Sequence, residues 1–321
     1  RALFRERRNH MAQTIEKPDW HKLPAPDFDS IIGTGLGPRY MEYTWRDVIL
    51  YALGVGCSKD DLPYVWEGCP DGFKALPTFV LVTYLNAIQM QPQRRVPYAP
   101  NEIPGDLIIK ALGGYIPNRL HMGVDIQLHR PIDPLCGKFL TEDCVEEIYD
   151  WGDKGVVNQC KMDMYDIAGR PVCTLRSQHL FAAFGNNGRP KFVSNKMQYP
   201  DRAPDFECED HIADNLAALY RLTGDTYTTH IDPTVGQSYG YKGAFMPGLC
   251  TVGFGARLAI QAFIPYQPER VTHIATQLRA VTFPDTHVKF QAWKLEEGKI
   301  VYKMLNEQGK AVIDNCLLEY K

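Results

Sequence analysis

The sequence predicts an α+β protein made of two similar halves, each an antiparallel sheet wrapped around one central helix. Two observations lead to this prediction. The order of one strand, a turn with Pro and Asp, and a three-stranded meander occurs twice along the 321 residues. Each of these strand sets follows a segment that is apolar nearly all round, which is typical of a helix buried against a sheet.

The first half is predicted to contain a buried helix followed by four strands. Apolar residues fill most positions of Pro77–Gln89, which predicts the helix. Turn-forming Pro, Gly and Asp residues separate the segments that follow it. The predicted strands are Met122–Leu128, a strand that includes Gly137–Leu140, Val156–Tyr165 and Val172–Phe184.

The second half repeats this order after one additional helix. An amphipathic pattern predicts a helix over Asp210–Tyr220, and a nearly continuous apolar run predicts the central helix over Leu249–Phe263. The turns that follow contain Pro, Asp, Gly or Lys. The predicted strands are Ile274–Val281, Val288–Trp293, Ile300–Leu305 and Ala311–Tyr320.

Composition divides the chain into four parts. Residues 1–17 are an extension that we expect to be disordered, and residues 18–185 are expected to form the first domain. Residues 186–204 are polar and rich in turn formers, which is typical of a linker. Residues 205–321 are expected to form the second domain.

Composition also excludes several classes of partner. A net charge of −3 gives no electrostatic reason to expect nucleic acid. No apolar run approaches the roughly 20 residues that cross a bilayer, so we expect no membrane span. Nine cysteines without CxxC spacing predict reduced thiols, no metal site and no cofactor. We expect an intracellular protein, cytoplasmic or peroxisomal, although Leu318–Lys321 does not match a peroxisomal tripeptide.

A carboxylate and an imidazole lie five residues apart in a turn-prone segment, as Asp225 and His230. Further along, Gly248 and Leu249 open the second apolar helix. A carboxylate and an imidazole together can move protons, and N–H groups at a helix start can bind an oxygen that gains negative charge. This combination meets the needs of proton transfer beside a carbonyl.

Each of these residues also has a purely structural interpretation. Asp225 could be a turn residue, His230 a structural histidine, and Gly248 the site of a tight turn. Tyr227 is either a substrate contact or a space filler. The surrounding motif favours catalysis for the first three, because it combines an acid/base pair with a helix start.

Other polar or reactive residues are predicted to be structural. Asp232 precedes a Pro and is predicted to cap a helix. Cys250 has no His nearby in sequence, so it is predicted to fill space rather than act as a nucleophile. His121 and His129 lie in a run of alternating polarity, predicted to be a solvated strand face rather than a metal site. Gly33–Gly37 lacks a full GxGxxG pattern and is predicted to be a flexible loop.

The motif extends over Tyr220–Asp225, His230–Pro233 and Gly248–Phe254, and it resembles the hydratase 2 motif of MaoC-like (R)-specific enoyl-CoA hydratases. Asp47–Gly56 and Leu76–Phe79 are similar to the N-terminal half of that family. The resemblance implies a tandem hot dog fold and a homodimer. It further implies a catalytic dyad in the second hot dog only, while the first gives room for a bulky acyl chain.

Residue by residue, the resemblance implies that Asp225 and His230 are the dyad and that the N–H of Gly248 binds the thioester oxygen. The chain departs from the family pattern inside the motif. Tyr227 and Thr228 stand where the family has Asn and Pro. The usual substrate of the family is therefore in question, whereas the acid/base chemistry is expected to be retained.

Three hypotheses follow for the function. The first is reversible hydration of a 2-enoyl thioester, R-specific and linked to CoA. The second, prompted by Tyr227, is a specialised dehydratase or acid/base catalyst that acts on a polyketide-like substrate in biosynthesis. The third is a non-catalytic hot dog protein that binds acyl chains, which the retained Asp225, His230 and Gly248 argue against.

Overall fold

The computed structural model describes residues 25–89 and 119–321. The strands of this part are β1 (Arg39–Thr44), β2 (Arg119–Leu128), β3 (Cys136–Asp150), β4 (Val156–Asp166), β5 (Pro171–Phe181), β6 (Phe206–Ile212), β7 (Val271–Leu278), β8 (Thr286–Glu296), β9 (Lys299–Asn306) and β10 (Ala311–Tyr320). The α-helices are α1 (Trp45–Gly54), α2 (Leu62–Val65), α3 (Val80–Gln89), α4 (Leu216–Arg221), α5 (Pro233–Ser238) and α6 (Gly248–Phe263). Short 3-10 turns cover Pro77–Phe79, Gly152–Lys154, Thr228–His230 and Pro268–Arg270.

The strands form one antiparallel sheet in the order β1-β3-β4-β5-β2-β7-β10-β9-β8-β6. The second five strands repeat the order of the first five in reverse, so the two halves are related like the subunits of a two-fold dimer. The two predicted sheets are therefore present, and they are the two halves of one continuous sheet. The joint is the antiparallel pair β2–β7, where Val124 lies opposite Thr276 and Ile126 opposite Ile274.

Most of the described side chains of the two central helices are buried, as predicted. Residues 250–260 of α6 are all buried. Gly253 permits this packing, because a Cβ there would lie 2.6 Å from the Tyr51 hydroxyl oxygen. In α3, Val80 and Leu81 belong to the same hydrophobic core as Phe254 of α6. One core thus spans both halves and holds both helix starts in fixed positions against the sheet.

Two strands of the described chain were not predicted, and both are edge strands of the sheet. The helix prediction for Asp210–Tyr220 is wrong in its first part, because residues 206–212 form β6, paired with β8. The helix α4 begins only at Leu216. The strand β6 alternates between partly buried and exposed residues and bonds to one neighbour only, so its sequence, Phe206–Ile212, is polar enough to resemble a helix surface. The strand β1 is the corresponding edge in the first half.

The other predicted strands are confirmed, and most of their ends differ by a few residues. The exception is the strand predicted at Gly137–Leu140, which extends over Cys136–Asp150. The predicted extension over residues 1–17 lies outside the described residues. None of the described helices is long and apolar enough to cross a membrane.

Candidate active site

The loop between α4 and α5 carries the predicted acid/base pair. Gly224 has φ +134°, a conformation that favours glycine, and it turns the chain directly before Asp225. The hydroxyl of Thr223 donates to the carbonyl of Tyr220 at 2.7 Å. At the other end of the loop, Asp232 caps α5 by accepting from the N–H of Thr234 at 2.9 Å, which confirms its predicted role. The loop is thus held at both ends.

Asp225 is 5% exposed, and its Oδ1 has no hydrogen-bond partner among the described residues. Burial raises the pKa of this carboxyl group. The charge of His230 and the N–H of Tyr227, which donates to the carboxylate, act in the opposite direction. A buried carboxyl group with a raised pKa and a free oxygen is suited to exchange a proton with a bound molecule.

His230 has one ring nitrogen fixed by the protein. Its Nδ1 lies 2.9 Å from the carbonyl oxygen of Phe245, which can only accept, so Nδ1 carries the hydrogen. In the neutral ring Nε2 is then the nitrogen that accepts a proton. The ring of Phe245 packs edge-on at 5.6 Å between centroids, and that of Tyr227 at 6.5 Å. The ring of Tyr227 therefore lies beside that of His230.

The helix α6 begins at Gly248, and no side chain caps this end. The first N–H groups of a helix have no partner within it, and the helix dipole adds partial positive charge there. The residue before it, Pro247, has no N–H to offer. A Cβ at position 248 would lie 2.8 Å from Leu278 Cδ1, so glycine keeps this approach open. Leu249, the next residue, is partly buried and packs against the core.

Cys250 connects the two parts of the site. It lies in the first turn of α6, and the charge of Asp225 contributes to raising its pKa, so Asp225 interacts electrostatically with this turn of the helix. The thiol is 1% exposed and donates to the carbonyl of Gly54 at 3.2 Å. Burial is the main cause of its raised pKa, which keeps the thiol protonated. Cys250 therefore fills space, as predicted, and is no nucleophile.

The first half also contributes to this site, which the sequence did not reveal. His121 Nδ1 lies 3.7 Å from the position that a Cβ of Gly248 would occupy. The prediction that His121 lies on a solvated strand face is therefore wrong. A bulge in β2 between His121 and Gly123 turns the histidine to the inner face, where it lies opposite His179 of β5. His129, in contrast, is exposed, as predicted.

Two further side chains of the first half lie near the site. The positive charge of Arg119 at the start of β2 is one of the smaller influences that oppose the rise in the pKa of Asp225, which burial causes. Ser177 Oγ lies 3.0 Å from His121 Nε2. Burial, assisted by the charge of Arg119, lowers the pKa of His121 to about 4, so this ring is neutral at physiological pH. The only sequence signal for this contribution would have been the irregular spacing at Met122, which is invisible without knowledge of the pairing.

The predicted loop at Gly33–Gly37 is confirmed as a loop, because residues 34–38 form neither helix nor strand. Its predicted flexibility stays a prediction, and the loop is hydrogen-bonded to β3 through the N–H of Gly33, which donates to Val145, and the N–H of Leu36, which donates to Asp143. Among the described residues, no group of three or more His, Cys, Asp or Glu side chains could hold a metal ion.

Two family models match this chain in succession. The MFE-2 hydratase 2 N-terminal domain matches residues 41–182, and the MaoC like domain matches residues 195–315. Together they match most of the chain, and the site described above draws on both.

Two curated relatives are similar over nearly the whole chain. The peroxisomal multifunctional enzyme type 2 of Mus musculus is 29% identical over 309 residues, which are 93% of this chain but 40% of the mouse protein. The probable enoyl-CoA hydratase 2 of Dictyostelium discoideum is 28% identical over 298 residues, 90% of this chain and 95% of that protein. The chain thus spans less than half of the mouse protein and nearly all of the shorter one.

Solved structures agree with this likeness. A MaoC-like dehydratase from Phytophthora capsici has a TM-score of 0.79 and 26% identity, covering 92% of this chain and 99% of its own. A Mycobacterium tuberculosis protein described as a double hot dog fold has a TM-score of 0.52 and 13% identity, over 92% of this chain and 98% of its own. At that identity the second likeness concerns the fold alone. The predicted tandem hot dog fold is confirmed.

Proposed function

We propose that this chain, which belongs to the MaoC-like hydratase/dehydratase family, catalyses the reversible hydration of a CoA-linked 2-enoyl thioester. The product is the 3-hydroxyacyl thioester of R configuration. The observation that carries the proposal is the buried carboxyl group of Asp225, with a free oxygen, beside a His230 whose Nδ1 is already committed to a carbonyl.

The proposed chemistry uses one water molecule between Asp225 and His230. The oxygen of the water forms a bond to Cβ, and its proton passes to the dyad. The electron pair of the double bond moves toward the thioester carbonyl, and a proton from the dyad then reaches Cα. All three atoms of the water are accounted for in the 3-hydroxyacyl product, because the hydroxyl is on Cβ and one proton is added at Cα. The reverse reaction eliminates water. General acid/base action of this kind contributes roughly 100- to 10,000-fold to a rate.

The start of α6 is proposed as the oxyanion site. The N–H of Gly248 would donate to the thioester oxygen, and that of Leu249 lies in the same first turn. A hydrogen bond from a helix start, assisted by the dipole, stabilises the enolate that forms when Cα exchanges its proton. Glycine at this position permits close approach of the carbonyl to the backbone.

A second candidate function is supported by Tyr227. Its ring lies 6.5 Å from that of His230, and it is partly buried, so a substrate at the dyad would pass near its phenol group. A phenol can donate to an oxygen on the substrate. This favours a dehydratase of the same mechanism that acts on an oxygen-rich, polyketide-like thioester.

Hydration assays with crotonyl-CoA and longer 2-enoyl-CoA thioesters test the proposal. Absorbance of the conjugated thioester should fall, and chiral analysis of the product should give the R isomer. Turnover of plain enoyl-CoA substrates at ordinary rates would remove the second candidate. No turnover of any enoyl thioester by folded protein would refute the proposed hydratase function.

The assembly and the location are also proposals. We propose a homodimer, which light scattering coupled to gel filtration measures directly. The mouse relative is named a peroxisomal enzyme, and we propose a peroxisomal or cytoplasmic location for this protein. Microscopy of a tagged full-length protein distinguishes the two.

A further inference from the structure

A band of polar side chains crosses the buried inner face of the first half. Asn158 of β4 lies opposite His179 of β5, and His179 lies opposite His121 of β2. Ser177, two residues before His179 on the same face, contacts His121. We call these four residues the polar row.

The polar row interrupts the hydrophobic core. Along β4, Val156 belongs to a small cluster near the end of the sheet, whereas Met162 belongs to the main core. Along β5, Phe181 and Leu175 are divided in the same way. Asn158 and the residues opposite it belong to neither cluster. The interior of the first half is thus apolar at both ends and polar in the middle.

The polar row contains buried groups without partners among the described residues. Asn158 is 0% exposed, and neither its amide nitrogen nor its amide oxygen has a hydrogen-bond partner. His179 is 8% exposed, and its Nδ1 is also unpaired. A buried unpaired polar group costs about 1–3 kcal/mol, so such groups are rare in native proteins and call for an occupant.

The polar row ends at the proposed oxyanion site. His121 is its last member, and its Nδ1 is 3.7 Å from the Cβ position of Gly248. The rings of His121 and His179 are stacked, with centroids 4.5 Å apart and 15° between planes. Neighbouring strands are about 4.8 Å apart, which puts the Cα of Asn158 roughly 10 Å from that of His121. A molecule bound at Gly248 that extends across β5 would meet these groups in order.

We propose that the polar row lines the acyl subsite and that the substrate carries a hydroxyl or keto oxygen several carbons beyond the reacting double bond. The amide of Asn158 can donate to either kind of oxygen, and the Nδ1 of His179 can bond to a hydroxyl in either tautomer. A fully alkyl chain would leave these groups buried without a hydrogen-bond partner among the residues that the structure describes. This inference rests on the proposed function, since it assigns the substrate class of that site.

Matched thioesters test this inference. The probes are crotonyl-CoA, which is too short to reach Asn158, a plain ten-carbon 2-enoyl-CoA, and its analogues with one hydroxyl placed in turn at each of the last four carbons. For at least one hydroxyl position, kcat/KM should exceed that of the plain chain by about 10-fold or more, because a site built to bond a hydroxyl rejects the analogue that lacks it. Equal or better turnover of the plain chain against every analogue would overturn the proposal.

Variants locate the effect. Asn158→Leu and His179→Phe should each lower kcat/KM about 10-fold on the preferred hydroxylated probe, and the loss on crotonyl-CoA, which is too short to reach Asn158, should be several-fold smaller in Asn158→Leu. Ser177→Ala is the milder variant if either fails to fold, as judged by circular dichroism. Gln159→Leu is the matched control, because Gln159 lies on the outer face of the same strand and bonds Glu146 at 2.9 Å. Equal losses on the plain and hydroxylated chains would mean that the row has no role in selecting the substrate.

The experiments distinguish failure of this inference from failure of the proposed hydratase function. Turnover of crotonyl-CoA with no preference for hydroxylated chains would refute this inference alone. If no thioester is turned over, calorimetry with saturated ten-carbon acyl-CoA, plain and hydroxylated, still decides it. Tighter binding of the hydroxylated probe, lost in Asn158→Leu, would support the acyl subsite, and equal binding would refute it.

Discussion

The central helical segments begin in equivalent places in the two halves, but the first residue of one segment has a backbone N–H and the first residue of the other has none. The start of α6 is Gly248, which has an N–H and lies between the end of β7 and the start of β2. The equivalent start in the first half is the 3-10 turn that leads into α3, and its first residue is Pro77, which has no N–H. The two halves thus differ in whether the first residue of the helical segment offers a backbone N–H, which is the group proposed to bind the oxyanion.

The surroundings of the two helix starts also differ, because the start at Pro77 has, among the described residues, no counterpart of the Asp225 and His230 pair. A groove at Pro77 is lined by Leu128 from the end of β2 and Val271 from the start of β7, the counterpart of the site at Gly248. Lys74 and Glu269 form an ion pair at 3.4 Å there. The connection between α1 and Pro77 contains carboxylates but no histidine. The fold therefore supplies a helix start twice, and the proposed site at Gly248 differs from its counterpart at Pro77 by the loop that carries Asp225 and His230 and by the residue that begins the helix.

Substitutions in the proposed dyad, which only the second half contains, are expected to have the largest effect on the rate of hydration. Asp225→Asn and His230→Ala should each lower kcat for hydration by about 100- to 10,000-fold, since each removes one member of the acid/base pair. Initial rates with crotonyl-CoA measure this effect. The controls are Asp60→Asn and His129→Ala, both exposed in the first half, which should stay within about 2-fold. Near-normal rates in either dyad variant would remove that residue from the mechanism.

Exchanging the residues that begin the two helical segments tests whether the N–H of Gly248 contributes to the rate. Gly248→Pro removes the N–H, and Pro247 has ψ 134°, which tolerates a following proline. We expect a loss of about 100- to 1,000-fold in kcat relative to Gly248→Ala, which keeps the N–H. The Ala variant controls for the new methyl group, whose one tight contact is the flexible end of Leu278 at 2.8 Å, while His121 Nδ1 at 3.7 Å is at ordinary van der Waals distance.

Equal activity of the Pro and Ala variants would show that this N–H binds no reacting oxygen. The reciprocal change, Pro77→Gly, should create no activity, because the first half offers no acid/base pair at that helix start. It should lower the free energy of unfolding by about 0.4–1 kcal/mol through the greater freedom of the unfolded chain, and further through the loss of the buried Pro77 ring.

The joint between the halves is expected to be sensitive to one methyl group. A Cβ on Gly123 would overlap the backbone carbonyl of Thr276 across the β2–β7 pair. Gly123→Ala should therefore lower the free energy of unfolding by about 1–3 kcal/mol, as overpacking typically does. Urea unfolding measures the change. Gly243→Ala is the control, since its methyl would have Pro233 Cβ at 3.7 Å as its neighbour. If both variants unfold at the same urea concentration, the joint is not under this constraint.

Two buried carboxylates, one in each half, should respond oppositely to neutralisation. Burial raises the pKa of Asp225, so its contribution to stability is fully present below the unfolded pKa of about 3.9 and is lost as pH rises through the raised value. Asp225→Asn should therefore raise Tm at pH 7 and lose that advantage near pH 3.5.

Asp150 is the control for this effect. It accepts hydrogen bonds from Lys191 at 2.6 Å and from the N–H groups of Gly152 and Asn186 at 2.8 Å, and the bond to Lys191 is the main cause of its lowered pKa. Its stabilisation is present above the unfolded pKa and is lost as pH falls through the lowered value. Asp150→Asn should lower Tm at pH 7. If Tm at pH 7 changes in the same direction in both variants, the opposite pKa shifts of Asp225 and Asp150 are contradicted.

Local patterns predicted much of the molecule. The repeated strand order and both central helices were readable because apolar periodicity is local and does not depend on the pairing partner. The cap at Asp232 was readable for the same reason. The edge strands were missed, because a strand that bonds on one side has little apolar signal of its own. The roles of Asp225, His230, Gly248, Leu249 and Tyr227 remain proposals that the structure makes geometrically reasonable.

The sequence by itself determined the two-fold repetition and the motif from which the chemistry is proposed, because both are written in neighbouring residues. Only the tertiary structure decided that the halves share one sheet and that His121 faces Gly248. Those facts depend on strand pairing between residues more than a hundred positions apart and on one bulge that turns a side chain to the opposite face. A period-two pattern cannot report such a turn, because a shift of one residue exchanges the inner and outer faces of a strand.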